Sequence, residues 1–369
     1  MTNGQLRIAV IKGDGIGVDV INAALAVIAA AERRIGGLSL GYDFLDAGAA
    51  CFRTSGRDMA PAAEEAAAAA DAIFLGAIGL PSVRHEDGTE IAPHLRLRER
   101  LQLYAGVRPI KAYPNVPRRL ADERAADIDL VILRESTEGL FYSAAVHNRS
   151  QIIGDQEVRE TLRITRSTTE KLHDFAFRLA RRRKARGGQG RVTCVDKANV
   201  FRSMAFFRKI FDERAPRFPG VESSYNYVDA QALDLIRRPW DFDVLVMENM
   251  FGDILSDLAG GLVGGMGMAA CAEIGDAHGL FQPAHGSAPD IMGQDKANPL
   301  AAILSGALML DYLAERHALE AHANAARMIE TAIQTGFEAN RLRPVELGGD
   351  QGTAELTREV ITLVEESRP

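Results

Sequence analysis

The chain has 369 residues, 47% hydrophobic and 25% charged, with a formal net charge of −7. That length exceeds what one core usually serves, so two lobes are expected, and the negative balance argues against a general role on nucleic acid or an anionic membrane. No apolar run is long enough to span a bilayer, and Cys51, Cys194 and Cys271 are too scattered for a disulfide framework or a cysteine metal cluster. With no signal-peptide pattern ahead of Ile8-Ala-Val-Ile11, a cytoplasmic location is expected. Residues 7–11 read as a strand and Lys12-Gly-Asp-Gly-Ile-Gly17 as a tight turn. A long helix follows, with Val20, Ile21, Ala24, Leu25 and Ile28 at helical spacing. Residues 62–70 read as a helix, 72–75 as a buried strand, and 82–90 as a polar loop before a helix carrying Leu95, Arg98 and Leu101. Residues 129–133 form another buried strand, 144–158 an arm or hairpin, and 159–182 a long helix. That helix ends in Arg181-Arg-Arg-Lys184, where basic side chains suit the helix dipole better than nucleic acid. Strands at 191–195 and 244–247, an extended run at 221–228, and helices at 199–212, 298–313, 319–335 and 353–366 complete the pattern. Alternating strands and helices predict an α/β fold with a mostly parallel sheet.

The segment after strand 244–247 carries the chemistry. In Glu248-Asn-Met-Phe-Gly-Asp253-Ile-Leu-Ser-Asp257, two aspartates stand four residues apart, which on a helix puts both carboxylates on one face. On spacing alone this fits a solvated helix face as well as a pair of oxygen ligands for a divalent cation. Charged residues also follow other buried strands: Arg134-Glu135, Asp196-Lys197, Asp229 and Glu248. In open α/β sheets ligands bind at the carboxyl ends of strands, although a structural ion-pair network would give the same pattern. Arg98 and Arg108 add guanidiniums suited to bidentate capture of carboxylates. Together these residues suit a di- or tricarboxylate held on a divalent metal. The first glycine turn lacks the full dinucleotide fingerprint. In His285-Gly-Ser-Ala-Pro-Asp290, by contrast, backbone N–H groups can meet a phosphate or adenosine, and an aspartate can accept from a ribose 2′-hydroxyl.

These blocks, in this order and spacing, resemble the isocitrate/isopropylmalate dehydrogenase family of metal-dependent β-decarboxylating dehydrogenases. The matching residues are Gly13-Asp-Gly-Ile-Gly17, Leu97-Arg98 with Val107-Arg108-Pro109, Arg134-Glu135 with Thr137-Glu138-Gly139, Val195-Asp-Lys-Ala-Asn199, Asn249 through Asp257, and His285 through Asp290. The resemblance implies an isopropylmalate-dehydrogenase-like, two-lobed open α/β fold that is not a Rossmann fold. Residues 1–104 with 263–369 would form a large cofactor-binding lobe, and 105–262 a small lobe with the dimer interface and the metal and substrate residues. It further implies a homodimer with shared active sites, no nucleic-acid or membrane partner, and NAD with Mg or Mn as cofactors. Arg98, Arg108 and Arg134 would grip the malate part of a dicarboxylate. Asp253 and Asp257, with Asp229 of a second copy, would bind the metal, and Lys197 of that copy would relay the proton of the 2-hydroxyl. His285, Gly286, Ser287, Ala288, Asp290 and Asn298 would hold the cofactor, with Ile11 at the end of the first strand, and Asp290 suits NAD over NADP. The reaction implied is oxidation at C2 followed by loss of carbon dioxide from C3, with the metal lowering the hydroxyl pKa and stabilising the enolate.

The sequence departs from the family pattern at Phe141, at Gln282 and in the turn before Arg98. Phe141 stands where the family has a tyrosine that helps protonate the enol; Tyr142 is the candidate replacement, but a shift of one residue changes its direction. Gln282 stands where relatives usually have glutamate. In the turn before Arg98, isopropylmalate dehydrogenases have two leucines and a glutamate and isocitrate enzymes a serine and an asparagine, whereas this sequence has Ile91, Ala92, His94 and Leu95. His94 is therefore a candidate substrate residue that suits a hydroxyl or carboxylate better than an isopropyl group. Tartrate or D-malate oxidation with weak decarboxylation is the alternative activity. A phosphoryl or isoprenoid enzyme would need further acidic or lysine clusters that the sequence lacks. A non-catalytic homologue would not be expected to keep the aspartates, Lys197 and the arginines.

Overall fold

Glycine turns and helix caps cut the chain into short alternating elements. A computed structural model describes residues 5–145 and 150–367. The first part holds β1 (Leu6–Ile11), α1 (Gly17–Arg34), β2 (Leu40–Phe44), α2 (Ala49–Ser55), α3 (Pro61–Ala69), β3 (Ala72–Leu75) and α4 (Pro93–Arg100). The middle holds β4 (Ala105–Lys111), β5 (Asp129–Glu135), α5 (Phe141–Ala145), β6 (Gln151–Ile153), β7 (Glu157–Arg159), α6 (Arg166–Ala185), β8 (Arg191–Asp196) and α7 (Arg202–Arg214). It continues through β9 (Glu222–Tyr227), α8 (Val228–Arg237), β10 (Val244–Met247) and α9 (Asn249–Leu262). The last part holds β11 (Ala270–Ile274), β12 (Gly279–Pro283), α10 (Leu300–His317), α11 (Glu320–Glu338) and α12 (Thr353–Glu366).

Ten strands form one sheet in the order β2-β1-β3-β12-β11-β4-β5-β10-β8-β9. Both flanks are parallel, as expected of strands joined by helices. The centre is antiparallel, because β11 pairs with both β12 and β4, and β4 with β5. The sheet therefore runs unbroken from the first strands to the middle of the chain.

The two faces of this sheet differ, and the difference makes the site. On one face Ile8, Val10, Val107, Val131, Leu133, Ala272 and Phe281 join a single large apolar cluster. Helices α1, α6, α7, α10, α11 and α12 cover it with side chains such as Val20, Phe177, Phe211, Leu310, Ile329 and Val360. On the other face the apolar residues fall into two separate clusters. One joins Ala9, Ile11, Leu75 and Leu280 to Ala67 and Leu97 from α3 and α4. The other joins Ile110, Ile132 and Leu245 to Leu235, Leu255 and Ala259 from α8 and α9. Strand residues lying between them on that face are charged or small: Arg108, Arg134, Gly106 and Glu273.

Several boundaries differ from the sequence pattern. The helix expected over 159–182 begins at Arg166, because extended Thr165 caps it by accepting from the Thr168 N–H, while residues 157–159 pair in a hairpin. The arm expected over 144–158 is partly that β6–β7 hairpin and partly the end of α5; residues 146–149 lie outside the described residues. The basic run closes α6 as expected, with Arg183 Nε 2.5 Å from Asp243 and Nη2 3.0 Å from Asp129. Among the described residues no helix is long and apolar enough to cross a membrane.

Candidate active site

Helix α9 starts where Glu248 turns its side chain back to accept from the Met250 and Phe251 N–H groups, an N-cap that fixes the first turn. Gly252, Leu255, Ser256, Ala259 and Leu262 then recur on the buried side. Gly252 seats the helix directly on β5: a Cβ there would lie 2.6 Å from Arg134 Cβ. This close approach turns Asp253 and Asp257 toward the gap between the two apolar clusters, with their side chains 43% and 61% exposed.

Three guanidiniums meet them. Arg98 leaves the last turn of α4, Arg108 the middle of β4 and Arg134 the end of β5, and all three are buried. Arg134 donates to Asn249 Oδ1 at 3.0 and 2.7 Å and contacts the Asp253 carboxylate. Arg108 donates to Ser256 Oγ at 2.6 Å and lies 3.6 Å from Asp253 and 3.5 Å from Asp257. Arg98 pairs with Glu273 at 2.8 Å. Burial, with Arg108 and Arg98 close by, lowers the Arg134 pKa to about 10, so the cluster favours an arriving anion. Burial, with Arg98 and Arg134 close by, brings half-buried His94 down to about 3, which keeps its ring neutral.

Of the charged strand ends, several are structural. Glu135 accepts from the Thr137 N–H and hydroxyl and from the Glu138 N–H, closing the turn after β5. Asp196 is bound by Arg208 Nε and Nη2 at 2.7 and 2.8 Å. Lys197 and Asp229 pair with each other at 2.5 Å, which holds the Asp229 carboxyl below its ordinary range. Among the described residues no three His, Cys, Asp or Glu side chains are placed to hold an ion within one chain. The donor set nevertheless fits a divalent cation. Two carboxylates share one helix face, and burial and the neighbouring Asp253 raise the Asp257 pKa despite Arg108. A cation supplied between them would relieve that repulsion.

The cofactor candidates cluster around the first glycine turn. Asp14 is a buried hub whose carboxylate accepts from the Ala49, Ala50 and Gly79 N–H groups, each at 2.8 Å. The Ile16 N–H donates to the Ser287 carbonyl at 2.7 Å, and Ser287 Oγ donates to the Gly79 carbonyl at 2.5 Å, so the 285–290 loop is fastened to that turn. Ala288 takes a left-handed conformation with φ 32°, Gly286 is open, and Asp290 is exposed. His285 Nδ1 meets the Gly286 carbonyl at 2.9 Å, and its buried Nε2 has no partner among the described residues, so it can serve as an acceptor. Asn298 Nδ2 donates to Glu346 at 3.0 Å, and its Oδ1 caps α10 through the Leu300 N–H. An open loop with an orphaned acceptor and an exposed carboxylate fits an adenosine ribose. The Ile11 side chain is fully buried in the apolar cluster beneath this region.

The profile of the family described as isocitrate/isopropylmalate dehydrogenase matches residues 7–363. The chain belongs to this family. It is 39% identical over 361 residues to a 3-isopropylmalate/3-methylmalate dehydrogenase of Methanocaldococcus jannaschii, covering 98% of this chain and 99% of that protein. It is also 39% identical over 342 residues to a 3-isopropylmalate dehydrogenase of Gloeobacter violaceus, covering 91% of each. Among solved structures, an isocitrate dehydrogenase of Methylococcus capsulatus superimposes with a TM-score of 0.84 at 34% identity, over 98% of this chain and all of that one.

Phe141 lies over Arg134, 4.8 Å from ring centre to Cζ, so its ring faces the arginine cluster. Tyr142 packs instead against Arg163 at 3.9 Å. Gln282 stands opposite Cys271 in the β11–β12 ladder, on the face that carries Glu273. Glu273, Asn249, Ser256 and Glu346 are site residues that the sequence expectations do not single out. The one sequence signal for Glu273 is a lone acid inside the otherwise small and apolar strand Ala270–Ile274.

Proposed function

We propose that the chain is an NAD-dependent, Mg- or Mn-dependent dehydrogenase that oxidises a malate-type 2-hydroxy dicarboxylate and releases carbon dioxide from C3. The observation that carries this reading is the convergence of three buried arginines and two helix-borne aspartates on the gap between the two apolar clusters of one sheet face. Arg108 and Arg134 present donors to the substrate carboxylates, and Arg98 lines the same cleft. Asp253 and Asp257, with Asp229 of a second copy, would hold the metal, and Lys197 of that copy takes the proton from the 2-hydroxyl. His285 through Asp290 and Asn298 would hold the adenosine, and the exposed Asp290 carboxylate repels a 2′-phosphate. When bound, NAD accepts the hydride from C2, and the divalent ion acidifies the hydroxyl and carries the developing enolate charge. In this reading residues 1–104 and 263–369 form the cofactor lobe, and 105–262 the lobe with metal and dimer residues.

A second reading is oxidation of tartrate or D-malate with little decarboxylation. Two contacts favour it: the neutral His94 beside Arg98 and Arg134, and Phe141, a ring without a proton to give, over Arg134. The 3-isopropylmalate named for both relatives remains the main competitor. The test is NADH production with Mn over 3-isopropylmalate, isocitrate, homoisocitrate, tartrate and D-malate, with carbon dioxide measured in parallel. Turnover of 3-isopropylmalate alone would overturn the role given to His94. No turnover with any of them, together with no metal-dependent heat stabilisation by NAD, would overturn the dehydrogenase reading.

A further inference from the structure

We infer that Glu273 sets the charge of the substrate cleft: by occupying Arg98 from the neighbouring strand it makes the site select a malate-type dianion with an uncharged C3 substituent and reject a tricarboxylate. This rests on the reading of the cleft as a dicarboxylate site and deepens it.

Glu273 is fully buried. In the sheet it stands opposite Gly106 on β4, which in turn stands opposite Arg134 on β5. The missing side chain at Gly106 makes the arrangement possible: a Cβ there would lie 3.0 Å from Glu273 Oε2 and 2.6 Å from Ser136 Oγ. Glu273 Oε1 meets Arg98 Nη2 at 2.8 Å and accepts from Cys271 Sγ at 3.6 Å, and Ser136 lies on the Oε2 side. Burial alone would push this carboxyl up, but Arg98, Arg108 and Arg134 outweigh it and hold it below its ordinary value. It is therefore an anion at neutral pH, fixed inside the cleft wall.

The side chains that face the cleft are Arg98, Arg108 and Arg134 against Glu273, Asp253 and Asp257, while Glu248, which also acts on Arg134, is taken up by the Met250, Phe251 and Leu140 N–H groups at the start of α9. The cleft-facing charges cancel. A divalent ion on the aspartates leaves two positive charges, which a dianion neutralises. Without Glu273 the remainder would be three, the charge of a tricarboxylate. His94 is neutral and offers no cation to a third carboxylate. An uncompensated charge in such a partly shielded site weakens binding by about tenfold or more. Gln282 adds a geometric check. It faces the same side as Glu273, one step along the ladder, so a glutamate there would put a carboxylate near the same arginines.

The test is calorimetric binding of D-malate and of isocitrate at fixed Mg²⁺, which needs no turnover. Wild type is expected to bind D-malate about tenfold tighter or more, Glu273→Gln to shrink that ratio about tenfold, and Glu273→Gln with Gln282→Glu to restore it. A purely structural role would weaken both ligands together and leave their ratio unchanged. Equal affinities in wild type, or an unchanged ratio in Glu273→Gln, overturn the inference. Should Glu273→Gln lose its circular dichroism signal, Gln282→Glu alone is informative: it adds a carboxylate without unpairing Arg98. It is expected to widen the ratio, and an unchanged ratio overturns the inference. A binding preference for D-malate, with no NADH formed from any of the five substrates and no metal-dependent heat stabilisation by NAD, sinks the dehydrogenase reading alone. Equal affinities for isocitrate and D-malate, with NADH formed from either, sink the charge inference alone.

Discussion

Phe141 and Tyr142 are neighbours in sequence, yet they face different guanidiniums. Phe141 covers Arg134 and Tyr142 packs on Arg163. A proton donor for the enol has to reach the space beside Arg134, and position 141 is the one turned that way. Phe141→Tyr is therefore expected to raise carbon dioxide release per NADH formed, measured on D-malate. Tyr142→Phe is expected to change kcat by less than about threefold, whereas loss of a true general acid costs ~100-fold or more. A loss of that larger size would make Tyr142 the donor. His94 is the other residue proposed to decide specificity. Its ring is neutral, and its Nδ1 is buried without a partner among the described residues. His94→Leu removes that polar atom and adds apolar surface. The KM for 3-isopropylmalate is expected to fall about tenfold relative to D-malate, the scale of a methylene or two in an apolar pocket. An unchanged KM ratio would place the substituent pocket elsewhere.

At the scale of elements, α6 and α7 are locked by a buried histidine. His173 lies fully buried between them, its ring 4.5 Å from Phe207 and 5.2 Å from Phe211, with Nε2 3.2 Å from the Phe207 carbonyl. Burial lowers its pKa from an ordinary 6.5 to about 3. The unfolded chain therefore takes up a proton below 6.5 that the folded chain refuses. The group's contribution is fully present above that pH and is lost as pH falls toward 3, with a slope of at most ~1.4 kcal/mol per pH unit. Urea unfolding at pH 7 and 5.5 is expected to show a shallower decline for His173→Phe than for wild type. An identical decline would mean that other groups carry the acid sensitivity. Elements of this kind differ in how far the sequence reveals them. Helix α1 and strands β3, β5, β8 and β10 keep one unbroken periodicity, because both faces, or one whole face, meet apolar partners. Strands β4, β11 and β12 do not, because their cleft-facing positions hold Gly106, Arg108, Glu273 and Gln282. The function of the site breaks the pattern that would announce the strand. The same cause explains the candidate residues. Asp253 and Asp257 are legible from their spacing, and Arg98 and Arg134 from their places near element ends, while Arg108 sits in the middle of β4. Glu273 becomes meaningful only when register sets it beside Arg98.

At the scale of the whole molecule, the cleft of one chain holds Arg98, Arg108, Arg134, Asp253 and Asp257, but the Lys197–Asp229 pair is not grouped with the aspartate pair. Exposed apolar side chains flank both halves. Val200 and Phe201 follow Lys197 at 59% and 55% exposure, Leu233 and Ile236 follow Asp229 at 53% and 45%, and Ile254 follows Asp253 at 60%. Apolar groups this exposed, set beside the two halves of a proposed site, fit a contact in which a second copy brings its lysine to this cleft. The arrangement has a genetic consequence. Lys197→Ala and Asp253→Asn are each expected to abolish turnover alone. In a mixed dimer, one cleft combines the intact aspartates of the first chain with the intact lysine of the second, and the other cleft carries both defects. Random pairing of equal amounts makes half of the dimers mixed, so co-refolding the two inactive variants is expected to recover about a quarter of wild-type activity. Recovery at that level, lost when the two are mixed without unfolding, fixes the lysine in the partner. No recovery on co-refolding would mean that each chain completes its own site.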